Sequence, residues 1–362
     1  MATPTLSATG PSSSVIGSIT SFNWTAGRQA KSDPFKSGTG SITIRNPQDL
    51  PAAIVLEALV TVSINGFQIC GGYVTNISYN YGMVPNEDTA TISLEGYLAF
   101  LGRGYTKNLL MPGGTTGEYA VRIGNNLTGG ARTIINNQTR SICAGPQFYD
   151  GNSQDLLLTL VTTESGRLNE APVELTFLGR DVLIDPTSAP YSLSNVQFTD
   201  TNPATTGMAY DNLEFASLTD NYFTQVTVAP QSFAGQVFQA GTGPRNLQLN
   251  TDDETAEQAL SLAQYSQAQF SSAVSVPVTI STKNSLNNAL DPAQLISIGC
   301  VSARLPIVFR GATFNTIIEG WNVSANPDDV RYTFNVSDFR QNNVFILNDP
   351  IYGVLDTSKL GF

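Results

Sequence analysis

The dipeptide Asn65-Gly66 stands between two runs, "ALVTVSI" before it and "FQICGGYVTNISYNYG" after it, that read as paired strands. Period-two alternation puts every second side chain on one face of an extended strand, and Asn-Gly supplies the positive-φ residues of a tight hairpin turn. Neighbouring stretches repeat the signal: "GSITIRN" alternates upstream, and "DTATISLEGYLAFLG" gives another strand that closes at Gly102. Short strands at this spacing predict a small β-barrel or sandwich over residues 1–115. A chain of 362 residues has room for two or three such units.

Composition narrows what these strands face. Charged residues make up 13% of the chain, about half of the roughly 25% of ordinary soluble domains. Ser, Thr, Asn, Gln and Gly carry the polarity instead. Such a surface suits coverage by neighbouring subunits, where buried unpaired charge is costly; a solvated monomer with a neutral surface is the other reading. With 18 basic and 29 acidic residues the net charge is −11, and no Lys/Arg run offers the basic face of a general nucleic-acid binder.

Histidine is absent. That excludes Ser-His-Asp and Cys-His catalysis, His-ligated zinc and the usual neutral-pH general base. Cys70, Cys143 and Cys300 lie far apart without CxxC spacing, so they read as small buried hydrophobes. The N-terminal "MATPTLSATGPSSSVIGSIT" has neither the basic nor the apolar region of a signal peptide. The longest apolar run, "AAIVLEALVTV", is interrupted by Glu57 and too short to span a bilayer. Cytoplasmic synthesis and no membrane insertion are expected. Asn-x-Ser/Thr sequons such as Asn23, Asn76 and Asn322 are chance matches in a chain this rich in those residues.

Residues 116–200 read as an α/β insert. The Gly/Asn-rich stretch from Met111 to Gly151 predicts loops and irregular pieces. "SQDLLLTLVTTESG" predicts a short helix with Ser153 as N-cap, Leu156, Leu157, Leu160 and Val161 on one face, and Gly166 as its stop. "GRLNEAPVELTFLGRD" predicts a hairpin turning at Asn169–Pro172. Residues 201–362 form a second β-rich unit with one amphipathic helix at about 252–270. There Thr251 and Glu254 fit a capping box, Asp252 and Asp253 fit the positive end of the helix dipole, and Ala256, Ala259, Leu260, Ala263 and Phe270 form the apolar stripe. The whole is mainly β: two small β-barrel or sandwich domains, an α/β segment and two short helices, α+β overall.

Sites for chemistry fare poorly. The acid pairs Asp252/Asp253 and Asp328/Asp329 fit a helix first turn and the hairpin turn of "ANPDDVRY" better than two facing walls of a glycosidase cleft. "GTGPRN" at Gly241–Asn246 lacks the P-loop pattern and leads into "LQLN", not directly into a helix. "GRGYTK" at Gly102–Lys107 mixes basic and aromatic residues and reads as an exposed turn or subunit contact. No catalytic, cofactor-binding or metal-ligating residue is assigned, and the chain is not expected to be an enzyme.

Several segments share an order with a known family. "FNWTAGRQAKSDPFKSGTGSITIRNPQDLP" is similar to the opening of tailed-phage minor tail proteins of the baseplate hub, or tail-tip, group, with Gly27, Arg28, Phe35, Gly38, Thr39 and Asn46 at the motif positions and Asp33 near the acidic step. Pro47 stands where the family has a charged residue. "GYVTNISYNYG", "TATISLEGYLAFLGR", "LLLTLVTTESGRL", "DNYFTQVTV" and the ending "FILNDPIYGVLDTSKLGF" resemble later family segments in order. The resemblance implies three copies, each with two related barrels, in a pseudo-sixfold ring at the virion's tail tip. Such a ring adapts a sixfold tube to a threefold tip, carries receptor-binding or fibre proteins, and passes the tape measure and the genome DNA. A hexameric distal tail adaptor is the alternative, with six copies. A host-surface carbohydrate module, using Tyr79, Tyr81 and Tyr149, is another. Arg28, Lys31, Lys36, Arg103 and Lys107 are the expected contacts with the tail tube, a distal tail protein or another copy.

Overall fold

A computed structural model describes residues 3–83, 87–128, 133–171, 174–180, 182–201, 207–216, 222–270, 276–286 and 290–338. The N-terminal part contains β1 (Leu6–Thr9), β2 (Val15–Ile16), β3 (Ile19–Gly27), β4 (Lys36–Arg45), β5 (Leu59–Ile64), β6 (Phe67–Asn80) and β7 (Thr89–Glu95). The Asn65-Gly66 turn joins β5 to β6 with Ile64 opposite Phe67, and both turn residues take positive φ, 53° and 83°. Alternation is realised as read: Val60, Val62, Ile64, Ile42, Ile44, Ala90, Ile92 and Leu94 are buried while the residues between them are less so. Each such Val, Ile or Leu side chain contributes about 1.5–3 kcal/mol by leaving water.

The middle of the chain is more ordered than its Gly/Asn content predicts. It holds α1 (Tyr97–Gly102), β8 (Tyr105–Met111), β9 (Gly114–Thr115), α2 (Thr116–Thr128), β10 (Thr133–Asn137), β11 (Ile142–Cys143), β12 (Gln147–Asn152), α3 (Ser153–Glu164), β13 (Arg167–Ala171) and β14 (Glu174–Leu178). Helix α2 replaces the expected loop. Tyr119, Ala120 and Ile123 bury one stripe of it, and Gly124 admits Ile134, which a Cβ there would meet at 2.8 Å. Helix α3 lies where expected, but its N-cap is Asn152, whose side chain accepts from Gln154 N and Asp155 N. Ser153 is buried against Thr106 instead. The hairpin β13–β14 pairs Ala171 with Glu174.

The C-terminal part comprises β15 (Phe198–Thr199), β16 (Asn212–Ala216), β17 (Gln225–Pro230), β18 (Phe238–Gly241), β19 (Asn246–Thr251), α4 (Ala256–Phe270), β20 (Val276–Lys283), α5 (Pro292–Ser297), β21 (Arg304–Phe309), β22 (Ala312–Ala325) and β23 (Val330–Asp338). Helix α4 starts later than the capping box implies, because Thr251 belongs to β19. Thr255 and Gln258 make the cap: Gln258 N donates to Thr255 Oγ1, and Glu254 N donates to Gln258 Oε1. The buried stripe is Ala259, Leu262, Ala263, Ser266 and Gln269, whereas Leu260 is exposed. With Val228, Phe238, Ala240 and Leu249 this stripe forms a small core of its own. Asp328 and Asp329 do lie in a β22–β23 turn, their amides bonded to Asn326 Oδ1. The strand expected at "NVFILNDPIYGV" and the family-like ending lie outside the described residues.

One 13-stranded sheet gathers strands from both ends of the chain, in the order β16-β20-β23-β22-β3-β4-β7-β6-β5-β1-β2, with β21 and β15 branching from β22. The fold is mainly β with five short helices among the described residues. No sheet closes into a barrel there; the large sheet is an open path. The junction is the β22–β3 pair, running from Gly320 opposite Gly27 to Ala325 opposite Phe22. Two glycines make it feasible. Gly27 has φ +82°, and a Cβ on it would stand 2.5 Å from Glu319 O; one on Gly320 would stand 2.6 Å from Arg28 O. Any larger residue would force the two backbones apart.

Candidate functional site

That glycine contact places Arg28 beside Glu319. Arg28 N donates to Glu319 O at 3.0 Å. Its guanidinium meets Glu319 Oε2 through Nη2 at 2.7 Å and Nε at 2.8 Å. Ser337 of β23 donates to Glu319 Oε1 at 2.6 Å, and Arg167 of β13 approaches Oε2 at 3.5 Å. Glu319 is wholly buried. Burial by itself would raise its carboxyl, but Arg28, Arg167 and the Ser337 hydroxyl together outweigh that and hold it at about 2. One carboxylate therefore ties the opening loop, β13 and the C-terminal strands together.

The loop itself is ordered by local bonds. Asp33 Oδ2 accepts from Ala30 N at 3.0 Å, and the Arg28 guanidinium lies over the Phe35 ring at 4.5 Å. Lys31 reaches away to α4, where Nζ donates to Gln269 Oε1 at 2.6 Å and lies 5.8 Å from the Phe270 ring centre. Burial lowers its ammonium to about 8, with Asp338 and Glu319 pulling the other way. Between this loop, α3 and the β19–α4 unit lies a cleft of about 510 Å³, lined among others by Lys31, Phe35, Leu158, Leu249, Tyr265 and Gln269.

The five residues singled out from sequence thus fall in different settings. Arg28 and Lys31 make intramolecular contacts at the cleft. Lys36 is exposed at the start of β4, opposite Gly27. Arg103 is exposed after α1 and pairs with Glu95 at 2.9 Å and Glu57 at 3.7 Å. Lys107 is exposed on β8. Of the aromatics, Tyr79 and Tyr81 are exposed and stacked with ring centres 6.4 Å apart, while Tyr149 is buried.

Asp252 and Asp253 do not occupy a helix first turn. They sit in the link between β19 and α4, 2% and 1% exposed. The Tyr149 hydroxyl donates to Asp252 Oδ2, as does Gln147 Nε2 at 3.1 Å. Burial pushes the Asp252 carboxyl up to about 6 and raises that of Asp253. A third buried acid, Glu164 at the end of α3, accepts from Thr116 Oγ1 at 2.9 Å and Ser141 N at 2.8 Å. Sequence reasoning missed Glu164, Glu319 and Glu170, because an acid in a strand or at a helix end looks solvated until its partners are known. Glu170 accepts from Gly38 N and Leu98 N, both at 2.6 Å, and so pins β13 to β4 and α1. Among the described residues no group of three or more His, Cys, Asp or Glu is placed to hold a metal ion. No helix among them is long and apolar enough to cross a membrane.

No protein-family model and no curated protein sequence matches the chain. Solved structures do. A tail protein from Neisseria meningitidis is similar over 92% of this chain and 96% of its own, with a TM-score of 0.64 at 13% identity. The 43 kDa tail protein of prophage MuSo2 from Shewanella oneidensis is similar over 92% and 98%, with a TM-score of 0.61 at 14% identity. The chain has the fold of phage tail proteins. An Escherichia coli protein described as a component of the type VI secretion system, with structural similarity to the T4 tail proteins gp27 and gp5, is similar over 92% of this chain and 77% of its own (TM-score 0.54, 12% identity). At such identities the backbone is shared and the side chains are largely not.

Proposed function

We propose that this protein is a structural component of a phage tail tip. It acts as a hub ring that adapts a sixfold tail tube to a threefold tip, supports receptor-binding or fibre proteins, and lets the tape measure and DNA pass. The observation that carries this reading is the likeness to tail proteins over 92% of the chain and nearly the whole of theirs.

The internal layout supports a threefold ring with sixfold character. Two antiparallel halves, β3-β4-β7-β6-β5 and β20-β23-β22-β21, meet at the β22–β3 pair, so three copies would present six strand sets. Contacts of one surface with a different surface of the next copy close such a ring when the rotation fits. Lys36, Arg103 and Lys107 are the exposed cations proposed for those contacts; Arg28 and Lys31 act by fixing the loop that leads into Lys36. A net charge of −11 suits a bore through which a phosphate backbone must slide without adhering.

The test is immunoelectron microscopy of virions with antibody to this chain, together with quantitation of copies per particle. Label at the distal tail end with three copies supports the hub. Six copies favours the distal adaptor, and label on the head or none on the particle overturns the reading.

A further inference from the structure

We propose that the β17–β19/α4 unit, residues 222–270, is a lobe held against the rest of the protein by a proton-linked latch at Asp252 and Asp253, which closes on acidification and loosens as pH rises. The lobe has its own small core, and it meets the body across the cleft and through the Thr251–Glu254 link. That link is threaded between elements of the insert. From β12 come the Tyr149 hydroxyl and the Gln147 amide, both on Asp252 Oδ2. From β11 the Cys143 thiol bonds Asp252, Cys143 bridges Asp253 through the backbone, and Glu254 N donates to Ile142 O at 3.1 Å. From α3 Thr163 Oγ1 accepts Asp252 N at 2.9 Å. From α2 Tyr119 packs edge-on to Tyr149. Within the lobe Thr251 Oγ1 donates to Asp253 Oδ2 at 2.7 Å and Ser232 Oγ to Asp253 O.

The charges facing this link are mostly of one sign. Glu164 adds a buried acid near Asp253, and Glu254 follows in sequence. Arg180 favours ionised Asp253, but it is engaged by Glu164 at 3.9 Å and by Ser141. Among the described residues no cation forms an ion pair with Asp252 or Asp253. Two adjacent buried carboxylates without a counter-ion cannot both ionise cheaply while the lobe is docked. Undocking returns them to water, so ionisation and opening are linked.

The sign follows from Asp252. Docked, burial raises its carboxyl to about 6 from the ordinary 3.8. Docking is therefore unopposed at low pH and weakens as pH rises through 6. Between pH 5 and pH 7 this one group raises the docked-to-open ratio's dependence on protons enough to increase the open fraction about tenfold. The ion pair at Glu319 titrates far below this window.

Hydrogen exchange tests the latch. Exchange of β19 and α4 amides is measured at pH 5 and pH 7 in the wild type and in Asp252→Asn, and the ratio of the two proteins at each pH cancels the intrinsic pH dependence of exchange. The latch predicts a ratio that rises about tenfold from pH 5 to pH 7, with β3 and β4 amides unchanged. A ratio that stays constant overturns it. Should Asp252→Asn fail to fold, wild-type lobe exchange corrected for intrinsic rates serves instead: a rise with pH supports the latch, and a profile flat with pH overturns it.

Discussion

Replacing Arg28 with Ala strips the wholly buried Glu319 of its two shortest charged contacts, 2.7 and 2.8 Å, and leaves Arg167 at 3.5 Å and the Ser337 hydroxyl. The gap between the ordinary 4.5 and the observed value of about 2 for Glu319 corresponds to about 3 kcal/mol of preference for the ionised, paired state. Arg28 is the first of the groups that lower it, so most of that preference goes with it. Breaking a buried pair by removing one partner costs about 3–5 kcal/mol, and the two figures agree. A loss of about 3 kcal/mol should lower Tm by roughly 4 °C for a chain of this size. The assay is urea unfolding followed by the fluorescence of Trp24 and Trp321, both buried in the joined sheet. In a Glu319→Gln background the same Arg28→Ala change should cost far less, about 1 kcal/mol, because no buried charge is stranded. The pH dependence has a definite sign. A depressed carboxyl stabilises fully above its ordinary value and loses that contribution as pH falls from 4.5 towards about 2. Wild type and Arg28→Ala should therefore converge below that range. A cost under about 1 kcal/mol, or an equal cost in both backgrounds, refutes the claim that this pair ties the halves of the chain together.

Three further outcomes follow from the same structure. Lys36→Ala, Arg103→Ala and Lys107→Ala combined should leave stability within about 1 kcal/mol, since all three are exposed, yet reduce incorporation into tails as counted in purified particles; unchanged incorporation removes them as contacts. Gly27→Ala should cost about 2 kcal/mol or more by thermal denaturation, because φ is +82° and the new Cβ would meet Glu319 O at 2.5 Å; a neutral effect would show that the β22–β3 approach is not tight. Leu262→Ala, in the small core with Val228 and Ala263, should cost about 2–5 kcal/mol. Limited proteolysis should then cut residues 222–270 before β3 and β4, and simultaneous cleavage of both would contradict a separate core.

The N-terminal half was legible because its signals are local. Alternation at Val60, Val62 and Ile64, and at Ile42 and Ile44, needs only a strand with one wet face, and Asn65-Gly66 needs only a turn. Helix α3 was readable from the spacing of Leu157, Leu160 and Val161. Helix α2 was not, since Gly117, Gly124 and a run of Asn argue against a helix that tertiary packing nevertheless imposes through Tyr119, Ala120 and Ile123. The start of α4 was misplaced because Thr251-x-x-Glu254 and Thr255-x-x-Gln258 are both capping patterns, and only strand β19 decides between them.

What the sequence determined alone is therefore the strand content, the tight hairpin, the lack of histidine chemistry and the polarity of a surface with few charges. Tertiary structure decided the rest: that β22 pairs with β3, that Arg28 and Lys31 turn inward, and that Asp252 and Asp253 are buried. The physical reason is range. Backbone conformation and amphipathic period are set by neighbours a few residues apart, whereas the ionic state of a carboxylate depends on what is packed against it. For Glu319 that means an arginine from the far end of the chain, and for Asp252 a tyrosine and a cysteine from another segment.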